Sequence, residues 1–167
     1  GGLTMVVAAV IQRISGQRLD DYAREVLFGP LGITDFEWIS SPTWPDRTPS
    51  ADSGLRLCGR DLAKIGTLVL NDGKWNTQQI VPAEWVKTST RRHIEIRSWM
   101  YDYGFHWWYR KLAGVEVIAA IGRGGQLLAV LPEQQIVITV LAGEYDDRTR
   151  PSAGERILAK LAAAARQ

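Results

Sequence analysis

The residues with the strongest claim on chemistry sit in one short stretch, Gly122-Arg123-Gly124-Gly125-Gln126, flanked by the apolar runs Val115–Ile121 and Leu127–Leu131. Three of its first four residues are glycine. Glycine admits positive φ and lets other atoms come close to the backbone, at an entropic cost that an ordinary strand has no reason to bear. Two readings compete. One is a β-bulge or tight turn. The other is a strand edge lining a ligand site, with backbone N–H groups free to point at a substrate.

Other sources of chemistry are sparse. No serine is followed by lysine three residues later, and there is no Gly-x-Ser-x-Gly elbow. His93 and His106 are not at metal-ligand spacing, and Cys58 is the only cysteine, so no metal site is read. The histidines read as surface or strand residues, and Cys58 as a small buried hydrophobe that permits no internal disulfide. Asp20-Asp21 and Asp146-Asp147 are adjacent pairs whose side chains diverge, so they read as helix-face and turn residues, not a dyad. There is no Walker loop and no dinucleotide fingerprint, and no cofactor is expected. The net charge of the 167 residues is +2, with acidic and basic residues interspersed. No basic stripe stands out, which argues against nucleic acid. Arg91-Arg92-His93 with Arg97 reads as a solvated loop. The apolar opening, Leu3 to Ile14, is too short to span a bilayer. Seven tryptophans suggest a large apolar core or an aromatic-lined cleft.

The elements that would position the glycine stretch follow from periodicity. Leu3–Ser15 reads as a buried helix with Met5, Val6, Ala9, Val10 and Ile14 on one face and Gly16 as its stop. A second helix is expected over Arg18–Phe28, ended by Gly29-Pro30, after which Pro30-Leu31-Gly32-Ile33 turns into Phe36-Glu37-Trp38. Ser40 to Ser53 reads as a loop. Asp61 is expected to cap a helix Leu62–Leu70, and Pro82 to open another over 82–89. Arg91–Asp102 reads as a second irregular loop. Four strands then form an antiparallel meander: Tyr103–Arg110, Val115–Ile121, Gln126–Leu131 and Gln135–Ala142. Strand parity would put Tyr103 and Trp107 on one face and Trp108 on the other. Pro151 opens a closing helix, Ser152–Ala165, with Ile157, Leu158 and Leu161 on its stripe. Helices, then a sheet, then a helix make an α+β layout. The whole is expected to be a single partial domain, 1–167, helical and looped over 1–102 and stranded with a closing helix over 103–167.

Several stretches together resemble one family. They are Gly29-Pro30-Leu31-Gly32, Ser53-Gly54-Leu55-Arg56, Arg60-Asp61-Leu62-Ala63-Lys64-Ile65-Gly66 and Leu70-Asn71-Asp72-Gly73-Lys74-Trp75. After them come Gln79-Ile80-Val81-Pro82-Ala83-Glu84-Trp85-Val86, Tyr103-Gly104-Phe105-His106-Trp107-Trp108 and Gly122-Arg123-Gly124-Gly125-Gln126. In this order they resemble the carboxy-terminal part of the serine β-lactamase-like hydrolases. The branch is that of class C β-lactamases, D-aminopeptidases, esterases and aminohexanoate-oligomer hydrolases, with penicillin-binding-protein-like relatives. The resemblance covers nearly the whole chain and implies the carboxy-terminal part of a β-lactamase/transpeptidase-like fold.

That family uses a serine nucleophile in Ser-x-x-Lys, a Tyr-x-Asn or Tyr-x-Ser motif, and a strand element that is Lys-Thr-Gly in true β-lactamases. Only the third has a counterpart here. The resemblance puts Arg123-Gly124-Gly125 in its place as substrate-binding residues, and makes the backbone N–H of Gln126 an oxyanion donor. The departure from Lys-Thr-Gly favours an ester or amide substrate over a β-lactam. In the family the tyrosine motif falls just before a helix like Leu3–Ser15. The expectation is therefore a fragment without turnover of its own, whose partners are a small-molecule ester or amide and the missing amino-terminal half of the same domain. The alternative is a non-catalytic binding or interaction module that reuses the fold.

Overall fold

A computed structural model describes residues 2–40, 48–96, 101–145 and 151–165. Arg97, the pair Asp146-Asp147 and much of the loop after Ser40 lie outside the described residues. The chain divides into two compact units, residues 1–61 and 62–167.

In the first unit α1 spans Gly2–Ser15 and stops at Gly16, whose φ is +71° and whose N–H bonds to Gln12 O at 2.9 Å. Its buried residues are Met5 and Ala8; Val6, Val10 and Ile14 are exposed. This corrects the expected inner face. The helix is apolar nearly all round, so period alone does not choose between the line through Met5 and Ala8 and the line through Val6, Val10 and Ile14. The expected second helix is two pieces: α2 over Leu19–Ala23, then one π-type turn over Arg24–Phe28. The wider turn brings Phe28 into the core with Leu19 and leaves Val26 exposed. Gly29 closes it with a 2.8 Å bond from its N–H to Arg24 O, where a Cβ would stand only 2.9 Å from that oxygen. Phe28 then packs on Phe36, ring centroids 4.5 Å apart. Phe36 opens β1 (Phe36–Trp38), which pairs antiparallel with β2 (Leu55–Leu57).

The helix α3 spans Gly59–Leu70 and starts earlier than expected, so Asp61 lies within its first turn and not at its cap. Cys58 just ahead of it is exposed and donates to Asp61 Oδ2 at 3.3 Å, which corrects the reading of a buried thiol. In the second unit, a tight hairpin of β3 (Lys74–Trp75) and β4 (Gln78–Gln79) leads to α4 (Ala83–Thr90), with Pro82 at its cap. The main sheet follows in strict meander order: β5 (Asp102–Tyr103), β6 (Trp108–Leu112), β7 (Val115–Gly122), β8 (Gln126–Leu131) and β9 (Ile136–Val140).

The first expected strand is thus split. A Cβ on Gly104 would lie 2.6 Å from Ser89 O and 2.7 Å from Arg91 O, so only glycine fits there. His106 takes φ +64°, and the chain reverses between β5 and β6. The reversal overturns the parity argument. Tyr103 is the register partner of Trp108, their ring centroids 4.6 Å apart. The next turn, Ala113-Gly114, has both residues at positive φ, as a two-residue hairpin with right-handed strand twist requires.

The core of this unit joins Val115, Val117 and Ala119 of β7, Leu127, Ala129 and Leu131 of β8, and Ile138 of β9 to the last helix, α5 (Ala153–Ala164). Gly154, Leu158 and Ala162 of α5 face inward, while Ile157 and Leu161 are exposed. The stripe is therefore built on small residues that bring the helix axis close to the sheet, and a search for large apolar residues finds only Leu158. On the opposite face, α3 approaches at Gly66, where a Cβ would stand 2.5 Å from Val137 Cγ1 and 2.7 Å from Leu128 Cδ1. Two covered faces explain why β8 and β9 read as continuous apolar runs. β9 ends the sheet, and its other edge pairs with no strand among the described residues.

Candidate functional site

The glycine stretch forms the β7–β8 connection. Gly122 and Gln126 are register partners, and Arg123-Gly124-Gly125 is the turn between them. Gly124 and Gly125 both hold φ +83°, so both positions demand glycine on backbone grounds alone. Each is also buried, and the covering atoms belong to the protein. A Cβ on Gly124 would fall 2.6 Å from Tyr145 Cε1, and one on Gly125 would fall 3.1 Å from Ala142 Cβ.

The segment after β9 clamps the turn. Glu144 N–H donates to Gly124 O at 3.1 Å. The Gln126 amide Nε2 donates to Ala142 O and, at 3.4 Å, to the Tyr145 hydroxyl. Glu144 ties the same segment to the start of α5: its Oε2 accepts from Ala153 N–H at 2.7 Å and its Oε1 meets Arg156 Nη2 at 3.2 Å. That helix start is fixed in turn by a capping box between Ser152 and Glu155. The backbone from Gly124 to Gln126 is therefore held from both sides, while Arg123 is exposed and has no ion pair among the described residues. The expected site residues are brought together by one hairpin. Sequence reasoning missed Glu144, Tyr145 and the Gln126 side chain, which sit in or bond to a stretch with no periodic signal.

The remaining titratable groups are mostly structural. His93 stacks flat on Phe105, centroids 4.2 Å apart, and its Nε2 lies 2.6 Å from Thr88 O. Arg92 pairs with Asp102 at 3.2 Å and lies over the Tyr109 ring. Burial and a hydrogen bond with Glu116 push the Tyr109 phenol up to about 12. Among the described residues no three His, Cys, Asp or Glu side chains could hold a metal ion. No helix there is long and apolar enough to cross a membrane.

Several solved structures share the fold. The "Putative 6-aminohexanoate-dimer hydrolase" from Bacillus anthracis superposes with a TM-score of 0.74 at 22% identity, over 94% of this chain and 40% of that one. The octameric penicillin-binding protein homologue from Pyrococcus abyssi gives 0.69 at 19% identity, over 90% and 37%. A penicillin binding protein from Bacillus halodurans gives 0.68 at 14% identity, over 96% and 54%. The chain thus spans less than half the length of the first two. No curated protein matches it. The family model described as Beta-lactamase matches residues 2–162, nearly the whole chain. By that match, and with the α+β architecture of these relatives, the chain belongs to the Beta-lactamase family.

Proposed function

We propose that this chain is the carboxy-terminal portion of a serine hydrolase that cleaves ester or amide bonds through an acyl-enzyme, and that it has no turnover by itself. The observation that carries the reading is the family match over residues 2–162 in a chain with no Ser-x-x-Lys. In this reading the Gln126 backbone N–H is one oxyanion donor, and Arg123, Gly124 and Gly125 border the substrate. The pinned turn supports that role. An oxyanion donor acts through preorganisation, and removing one typically costs about 10²–10³ in kcat. The nucleophile, its lysine and the tyrosine motif come from the missing amino-terminal half. Two features favour such a partner, each within its own unit. The outer edge of β9 lacks a strand among the described residues. In the other unit Leu3, Val6, Val7, Val10 and Ile14 of α1 are half or more exposed.

The test is hydrolysis of nitrocefin and of a p-nitrophenyl ester by the chain alone and with the upstream half supplied. The expected result is no rate above a protein blank for the chain alone, and ester hydrolysis on complementation. Burst acylation of one of this chain's own serines would overturn the proposal. Failure of complementation, with the two halves shown to associate, would favour a binding or interaction module.

A further inference from the structure

A cavity of about 740 Å³ lies in the second unit beside α5, against β6 and β7, and its lining does not include Arg123–Gln126. Its size falls in the ordinary range of small-molecule sites, roughly 300–1,000 Å³. The walls are apolar and aromatic: Trp108, Leu112 and Ile121 from the sheet, with Tyr101 set edge-on to Trp108 at 6.4 Å. An apolar chamber of this kind takes a hydrophobic body.

The charges around it are unequal. Among the described residues, Arg110, Arg156 and Lys160 line the cavity against a single carboxylate, Glu155. Glu155 is already engaged, accepting from Ser152 N–H at 2.9 Å and Ser152 Oγ at 3.0 Å. Arg156 is engaged too, with Glu144 at 3.2 Å and with Pro151 O at 2.8 Å. Arg110 lies 5.1 Å over the Tyr101 ring. Neither it nor Lys160 has a carboxylate partner among the described residues, and both border the apolar chamber. The Arg110 guanidinium can bind a carboxylate through two parallel N–H donors, and Lys160 supplies a mobile point charge at the mouth.

We infer that this cavity is a binding site for a small amphiphilic carboxylate, with its apolar body against Trp108 and Ile121 and its carboxylate between Arg110 and Lys160. The site stands on its own residues and does not depend on the hydrolase reading.

Octanoate and its neutral analogue octan-1-ol are the probes. Binding to the full 167-residue chain is followed by calorimetry and by amide shifts. Octanoate should saturate one site per chain, shift the amides of β6 and of the 155–160 turn of α5, and bind at least tenfold more tightly than the alcohol. The double variant Arg110→Gln/Lys160→Gln should lose about that tenfold for octanoate and leave octan-1-ol unchanged, one charge-assisted contact being worth about a factor of ten or more. Lys160→Gln alone changes only an exposed side chain and should still weaken octanoate several-fold. Ala159→Trp, which fills the mouth from an exposed position of α5, should abolish binding of both. Equal affinity for acid and alcohol, unchanged octanoate binding in either charge variant or in Ala159→Trp, or no saturable binding would each overturn the inference.

Discussion

Gly154 gives the sharpest test of how the turn is held. By helix propensity alone, glycine to alanine should stabilise α5 by up to about 1 kcal/mol. The packing demands the opposite sign. A Cβ on Gly154 would stand 2.8 Å from Gly125 O and 3.3 Å from Leu127 Cβ. Neither neighbour can swing away. The first is the backbone of a turn fixed by the bond from Glu144 N–H to Gly124 O, and the second belongs to a buried strand. The helix must shift instead, against fully buried Leu158 and Ala162. Overpacking of this kind costs about 1–3 kcal/mol. Set against the propensity gain, the net loss for Gly154→Ala is roughly 1 kcal/mol, within a range of about 0–2. Gly143→Ala is the control: nothing lies within 4 Å of its Cβ position and its φ is not left-handed, so it should gain about 0.4–1 kcal/mol through the unfolded chain. Urea unfolding reads both as shifts in midpoint at constant slope. Amide shifts at Gly124–Gln126 should move only in Gly154→Ala. A Gly154→Ala variant more stable than the parent, as helix propensity alone requires, would refute the close approach of α5 to the turn.

Three further outcomes are expected. Gly104→Ala places a methyl 2.6–2.7 Å from two backbone carbonyls, so it should be destabilised more than Gly154→Ala and lose the β5–β6 ring contact, seen in tryptophan near-UV dichroism. The raised Tyr109 phenol means that the fold favours its neutral form; that stability is complete below pH 10 and is lost as pH climbs from 10 through about 12. Tyr109→Phe should lose less stability than the parent between pH 9 and 11, and parallel losses would contradict the assignment. The outer edge of β9 should exchange its amide hydrogens fast in the isolated chain and become protected when the upstream half is restored; protection already present in the isolated monomer would count against a strand partner.

Much of the second unit was legible because its signals are local. β-Branched content marks β7 and β9, an unbroken apolar run marks β8, and Pro151-Ser152 with Glu155 marks the start of α5. What escaped depends on contacts made by small residues. Gly104 breaks a strand-like run because two carbonyls from the α4 exit occupy the place of its Cβ, and no pattern within 103–110 carries that information. Gly154 and Ala162 form the buried stripe of α5, yet a search for large apolar residues passes over them in favour of Ile157 and Leu161. In the first unit the π-type turn at Arg24–Phe28 shifts the inward position to Phe28, which a fixed 3.6-residue period cannot anticipate.

The glycine stretch offered a choice between a tight turn and a backbone exposed to a ligand, and the structure makes these less opposed than they first looked. The turn is tight, and Tyr145 and Ala142 fill the space that the glycines leave free. Those contacts account for the residue types at 124 and 125 without any ligand. A backbone donor, however, acts by not moving when charge develops, and its usefulness rises with the rigidity of its surroundings. Glu144, from a stretch far along the chain, and the Gln126 side chain, which bonds to that stretch, supply that rigidity here, and Glu144 hands it on to α5. The clamp can therefore be separated from the donor. Glu144→Gln keeps a polar side chain at the helix start but removes its charge and weakens the link to Arg156. If Gln126 acts in the complemented enzyme, this variant should lower kcat with little change in KM, since a loosened donor is felt in the transition state. A rise in KM alone would assign the turn to binding.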